Sequence, residues 1–211
     1  MPLKKASPPI GRISSEHAEA GPLIEFLEKY NLPPRHIDAI QSAFTPLQLG
    51  KGEKFSEFGK VCTRIGILMN GLLFAAYDKE NSAKEIISRF FYSPSQIFVT
   101  SFESFSKASK SNEHITAIEP SFLFCIDRKD LEGIYNSFPE TNLIGRLIAE
   151  QSYIQALQRA HALQALNAEE RLADFFRVHP HLFNRVQRQH ITSYLGINRN
   201  ALSEHMNRRT R

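Results

Sequence analysis

The chain has 211 residues, 42% of them hydrophobic, enough to bury one substantial core and a smaller second one. A formal net charge of +4 selects no partner by itself, and no uninterrupted apolar run approaches the ~20 residues needed to cross a bilayer, so no membrane span is expected. Cys62 and Cys125 stand alone, with no CxxC pair or Cys/His cluster, which argues against a zinc knuckle or an iron–sulfur centre and fits a reduced, cytoplasmic setting.

Residues 1–22 hold Lys4, Lys5, Pro8, Pro9 and Arg12 without the apolar stretch of a signal peptide, and read as a flexible N-terminal arm. Helical spacing follows at 23–30 and 37–44, the second segment starting behind Pro33-Pro34, with Ile37, Ile40 and Phe44 on one stripe. Between Phe44 and Asp127 the texture changes to short apolar runs divided by turn signals, which predicts a compact antiparallel β structure. Asn70-Gly71, flanked by apolar segments, predicts a hairpin, because both residues tolerate positive φ. Residues 121–127 read as the last strand, and Asp127 with Asp130 as a helix start.

Residues 139–165 predict one long helix with Leu143, Leu147, Ile154 and Leu157 along a stripe that continues to His161. That stripe suits either pairing with a second copy of the chain or packing on the chain's own β domain. Asn167 and Glu170 have capping-box spacing and open a further helix carrying Leu172, Phe175 and Phe176 inward.

The most informative segment is residues 189–204. Ile191, Thr192, Leu195, Gly196, Ile197 and Leu202 are spaced like the inner residues of a helix-turn-helix. A four-residue spacing puts Ile191 and Leu195 on one face, Gly196 supplies the left-handed turn, and Asn198 is a candidate cap. Leu202 then points back while Arg199, Asn200 and Ser203 face outward, toward a DNA major groove; the plain alternative is a two-helix corner. Eight arginines against two acids, Asp174 and Glu204, lie between Arg171 and Arg211. Positive charge so concentrated is what a phosphate backbone requires.

Other chemistry finds little support. His179, His181, His190 and His205 have no Cys or acid at ligand spacing, so no metal is predicted. No phosphate-cradling glycine loop or nucleophile elbow is present, so no catalytic residues are assigned and the chain is expected not to be an enzyme. Isolated cysteines in strands read as small buried hydrophobes rather than redox sensors.

Taken in order, the turn-rich β domain, long helix and terminal helix-turn-helix resemble the Crp/Fnr family of bacterial transcription regulators over residues 32–209. The sharpest match is residues 191–203, Ile-Thr-Ser-Tyr-Leu-Gly-Ile-Asn-Arg-Asn-Ala-Leu-Ser, which is similar to the family's Ile-Ala-x-x-Leu-Gly-Ile/Ser-Arg-Glu-Thr-Leu-Ser. Lys51-Gly52-Glu53 ahead of Asn70-Gly71 is similar to the opening of its cyclic-nucleotide-type β-roll. The resemblance implies an α+β fold: an antiparallel β-roll (a double-stranded β-helix like that of cyclic-nucleotide-binding domains) with flanking helices over 23–137, a long dimerisation helix over 138–166, and a helix-turn-helix domain over 167–211. It also implies a homodimer, double-stranded DNA as partner, RNA polymerase as a further partner, and an effector pocket inside the roll.

Three departures qualify that expectation. The Gly-Glu pair and Arg-Ser/Thr-Ala run that hold a cyclic phosphate in cyclic-AMP-binding members are missing from 95–103 and 110–115, which argues against cyclic AMP and leaves no cofactor assigned. Phe98, Phe102, Glu103 and Lys110 are the candidate effector-pocket residues in this stretch, with core packing the rival reading for the phenylalanines and plain solvation for the lysine. In the recognition helix, Arg199 matches the family's base-contacting arginine and suits guanine, Asn200 replaces an acid and suits adenine, Glu204 stands where many members carry arginine, and His205 takes a commonly apolar slot. The base contacts are thus assigned to Arg199, Asn200, Ser203 and Glu204, and the phosphate contacts to Arg188, Thr192, Arg208 and Arg209. Finally, the sequence stops at Arg211, so a helix-turn-helix without a hairpin wing is expected, with weaker and more salt-sensitive binding. The rival reading, motivated by Glu204 and His205, is a ligand-binding or protein-interaction module whose helix-turn-helix no longer reads DNA.

Overall fold

The computed structural model describes residues 21–78, 85–198, 200, 202 and 203. Two short helices, α1 (Gly21–Glu28) and α2 (Pro34–Ala43), lead into the β region. Its strands are β1 (Thr45–Leu49), β2 (Lys54–Ser56), β3 (Arg64–Asn70), β4 (Leu72–Asp78), β5 (Glu85–Tyr92), β6 (Phe98–Val99), β7 (Glu113–Ala117) and β8 (Ser121–Asp127), with helix α3 (Phe102–Lys107) between β6 and β7. The strands form two antiparallel four-stranded sheets, ordered β1-β8-β3-β6 and β2-β7-β4-β5. This is the antiparallel α+β architecture the turn-rich pattern predicts.

Alternation along each strand decides what lies on its two faces. The inner faces meet in a core built around Leu68, Leu73, Phe91, Val99, Ile115 and Leu123. The outer face of the first sheet, with Ile67, Phe124 and Ile126, is covered by α1, α2 and α4 (Arg128–Ser137). The outer face of the second sheet, with Leu72, Phe74, Ile87 and Phe90, is covered by α6 (Ala168–Val178) and α7 (Arg188–Leu195). Helices therefore sandwich a sandwich, and each fully buried leucine or phenylalanine contributes about 1.5–3 kcal/mol.

One local expectation is corrected. Asn70-Gly71 is not a hairpin: β3 pairs with β6 and β8, and β4 pairs with β5 and β7, so the chain changes sheets there. Gly71 has φ 108, and a Cβ on it would lie 2.6 Å from the Ser121 Cα. The glycine reports a sharp corner pressed against β8; positive φ says that the chain turns, and not which strands pair. Asp127 does stand at the N-cap of α4 but makes no side-chain cap bond; the Arg128 amide donates instead to the Thr63 carbonyl at 2.8 Å.

The long helix α5 runs Thr141–Ala165. Leu143, Leu147, Ile154 and Leu157 are each exposed by 41–52%, so the apolar stripe does not pack on the β domain of its own chain. Among the described residues no helix is long and apolar enough to cross a membrane.

Candidate nucleic-acid interface

The helical unit starts with local chemistry. The Asn167 side chain accepts from the amides of Glu169 and Glu170, both at 3.0 Å, and Glu170 accepts from the Asn167 amide at 2.8 Å, a complete capping box. Leu172 and Phe175 point inward, as their spacing requires. In α7, Ile191 and Leu195 are buried on one face and Gly196 closes the helix in the left-handed conformation, φ 63 and ψ 37. The Gly196 and Ile197 amides bond back to carbonyls of α7, the latter to Thr192 at 3.1 Å. Asn200, Leu202 and Ser203 are helical beyond this turn, with Leu202 only 2% exposed and Asn200 and Ser203 on the surface. The inner face of the predicted helix-turn-helix is thereby assembled.

Arg188 and Gln189 at the start of α7 face Ser203 across a cavity of about 370 Å³, also lined by Gln187 and Leu202. The free amides of a helix start and an exposed arginine beside it favour an anion. Thr192 corrects an expectation: it is 6% exposed and its hydroxyl donates to the Gln189 carbonyl at 3.0 Å, so it faces the helix pair and not a phosphate. Arg199, Glu204, Arg208 and Arg209 lie outside the described residues, as do His205 and residues 1–20 of the predicted arm.

The four effector-pocket candidates do not converge. Phe98 meets Phe26 of α1 edge to face at 5.6 Å, on the outer side of the first sheet. Phe102 is half-buried on α3; Glu103 is paired with Lys107 at 2.9 Å on its exposed face, and Lys110 is exposed. The roll interior instead holds a pair that sequence reasoning missed. Arg89 Nη2 lies 2.5 Å from Glu113 Oε1, with the Glu113 side chain 5% exposed, and Ser88 donates to Glu113 Oε2 at 3.4 Å. Register explains the meeting: Arg89 stands opposite Ala75 and Glu113 opposite Tyr77, two residues apart on β4 and so on one face. The signal available was a lone arginine in the apolar run of β5.

Sequence reasoning also missed how the helical unit sits on the roll. Ser193, Tyr194, His190 and His179 meet β4 and β5: Phe90 and Tyr194 rings lie 5.1 Å apart, Phe74 and His190 5.0 Å apart, and Tyr92 Oη bonds His179 Nδ1 at 2.6 Å. Burial lowers the pKa of both histidines, opposed by Asp174 beside His179 and Glu85 beside His190. Both cysteines are buried, and burial pushes the Cys125 thiol up to about 11, far from the thiolate that redox chemistry needs. Among the described residues no group of three or more His, Cys, Asp or Glu side chains is arranged to hold a metal ion.

No protein-family model and no curated protein matches the sequence. Solved structures do. FixK2 from Bradyrhizobium japonicum is 14% identical, with a TM-score of 0.68 over 78% of this chain and 83% of its own. The c-di-GMP-responsive global regulator CLP from Xanthomonas campestris is 13% identical, with a TM-score of 0.67 over 84% and 92%. A transcriptional regulator assigned to the Crp/Fnr family from Eubacterium rectale is 16% identical, with a TM-score of 0.62 over 84% and 83%. At these identities the likeness is one of fold, and the chain has the fold of the Crp/Fnr regulators along most of its length.

Proposed function

We propose that this chain is a sequence-specific DNA-binding transcription regulator of the Crp/Fnr type, acting in the cytoplasm as a homodimer. One observation carries the reading: the Gly196 turn buries Leu202 while leaving Asn200 exposed and Ser203 exposed beside Arg188, the arrangement that lays a helix in the major groove with a cation on the adjacent backbone. Base readout falls to Arg199, Asn200, Ser203 and Glu204, and phosphate contact to Arg188, Arg208 and Arg209. The exposed stripe of α5 is where a second copy pairs, since burying four half-exposed aliphatic side chains in both chains is favourable. Two-fold pairing would set two recognition helices about one DNA turn, ~34 Å, apart. The roll does not take cyclic AMP by the usual contacts, because its interior arginine, Arg89, already has Glu113 as counter-charge.

The test is selection of bound duplexes from a random DNA pool by the purified protein at moderate salt. Enrichment of a two-fold symmetric site that Arg199→Ala relaxes supports the reading. A folded protein that enriches nothing moves the assignment to a ligand-binding or protein-interaction module.

A further inference from the structure

β5 is the outer strand of its sheet, so apart from Tyr92, whose amide and carbonyl both pair with Gln96, one row of its backbone groups faces no neighbouring strand. Part of that row is occupied from elsewhere in the chain. The Ile87 amide donates to Ser193 Oγ at 3.0 Å, and the same hydroxyl donates to the Glu85 carbonyl at 2.7 Å. Arg159 Nη2 donates to the Ile87 carbonyl at 3.0 Å. Ser193 belongs to α7 and Arg159 to the long helix α5, and the Arg159 guanidinium lies 4.0 Å from the ring centroid of Tyr194, the residue after Ser193. Two side chains thus join the roll, the long helix and the helix-turn-helix at one seam.

We propose that Ser193 and Arg159 are positioning residues that hold the helix-turn-helix in one register on β5 and thereby fix how the recognition helix is presented. Apolar packing of Phe90 on Tyr194 tolerates sliding, being non-directional. The hydroxyl does not: it accepts and donates to groups two residues apart on one strand, as the backbone of a missing neighbour strand would, and a slip breaks both bonds. Burial of the Arg159 guanidinium is offset only while the carbonyl and the ring stay in place. The seam also lies on the strand whose inward face carries Arg89, so the roll interior and the helix-turn-helix share one wall.

The consequence for DNA presentation rests on the proposed DNA reading; the seam itself does not. The experiment measures hydrogen exchange of the Ile87 amide in the full-length protein for the wild type, Ser193→Ala, Ser193→Thr and Arg159→Lys, beside duplex selection for each. The expected result is slow Ile87 exchange in the wild type, exchange about tenfold faster in Ser193→Ala, as loss of one hydrogen bond predicts, and recovery in Ser193→Thr, which keeps the hydroxyl. Ser193→Ala and Arg159→Lys are expected to broaden the preferred half-site spacing without changing the half-site sequence. Unchanged Ile87 exchange in folded Ser193→Ala overturns the seam. Faster exchange with an unaltered spacing preference overturns the positioning role. A wild type that selects no duplex refutes the DNA reading, and the exchange result then decides the seam alone.

Discussion

Arg185 crosses from the helical unit to Glu119 of the roll, Nη2 to Oε1 at 2.5 Å, and the same nitrogen donates to the Gly71 carbonyl at 3.0 Å. One guanidinium therefore braces the corner where the chain changes sheets against the domain that carries the candidate DNA-reading helix. Both side chains are about one-third exposed, so solvent screens the pair. Arg185→Ala is expected to cost about 1–2 kcal/mol. In thermal unfolding that is a midpoint lowered by roughly 2–6 °C.

The Arg89–Glu113 pair predicts a larger asymmetry. Glu113→Leu leaves the Arg89 guanidinium, itself about one-third exposed, without its counter-charge and, with solvent screening part of the loss, is expected to destabilise by about 1–3 kcal/mol, whereas Arg89→Met combined with Glu113→Leu returns most of that loss. A double-mutant cycle in urea checks it: additive single effects would mean that the two side chains do not act together.

Burial lowers the pKa of His179 and His190 from 6.5. Each binds its proton less readily in the folded chain than in the unfolded one, so the stability tied to neutral imidazole is present above the ordinary value near 6.5 and is lost as pH falls through the lowered folded values. Midpoint against pH is expected to drop below about 6.5, and to drop less in the His179→Gln, His190→Gln double variant.

The α5 stripe gives a test of assembly. Leu157→Lys places a charge in the proposed seam between copies at a side chain that is half-exposed in its own chain. Sedimentation is expected to show dimer weakened by about a hundredfold or more, with unfolding of the monomer little changed. A dimer of undiminished strength would place the contact elsewhere.

On the proposed assignment, Arg188, Arg208 and Arg209 from two paired copies would make six phosphate contacts. The logarithm of DNA affinity should then fall with the logarithm of salt concentration at a slope of about −5. A slope nearer zero would contradict the phosphate assignment.

What the sequence disclosed was local. Asn167 and Glu170 are three residues apart and make their bonds within one helical turn, so the capping box could be read directly. Gly196 and its apolar neighbours likewise define a turn through nearest-neighbour geometry. Asn70-Gly71 marked a turn correctly and its strand pairing wrongly, because pairing is settled by Ser121, fifty residues later, whose hydroxyl accepts from the Leu72 amide. Arg89 and Glu113 meet only through their common neighbour β4, and Ser193 meets Glu85 across 108 residues. No periodicity encodes such contacts, so the helix-turn-helix was visible while its seat on the roll was not.

The partly capped margin of β5 has a consequence for how the protein survives in a crowded solution. An outer strand with open amides and carbonyls is a template on which a strand of another molecule can add, the first step toward aggregates. Ser193 and Arg159 cap the Glu85–Ile87 end of that template with the chain's own side chains. Variants that loosen the helical unit should therefore lose colloidal stability on storage well before they lose secondary structure, because the first surface they bare is adhesive.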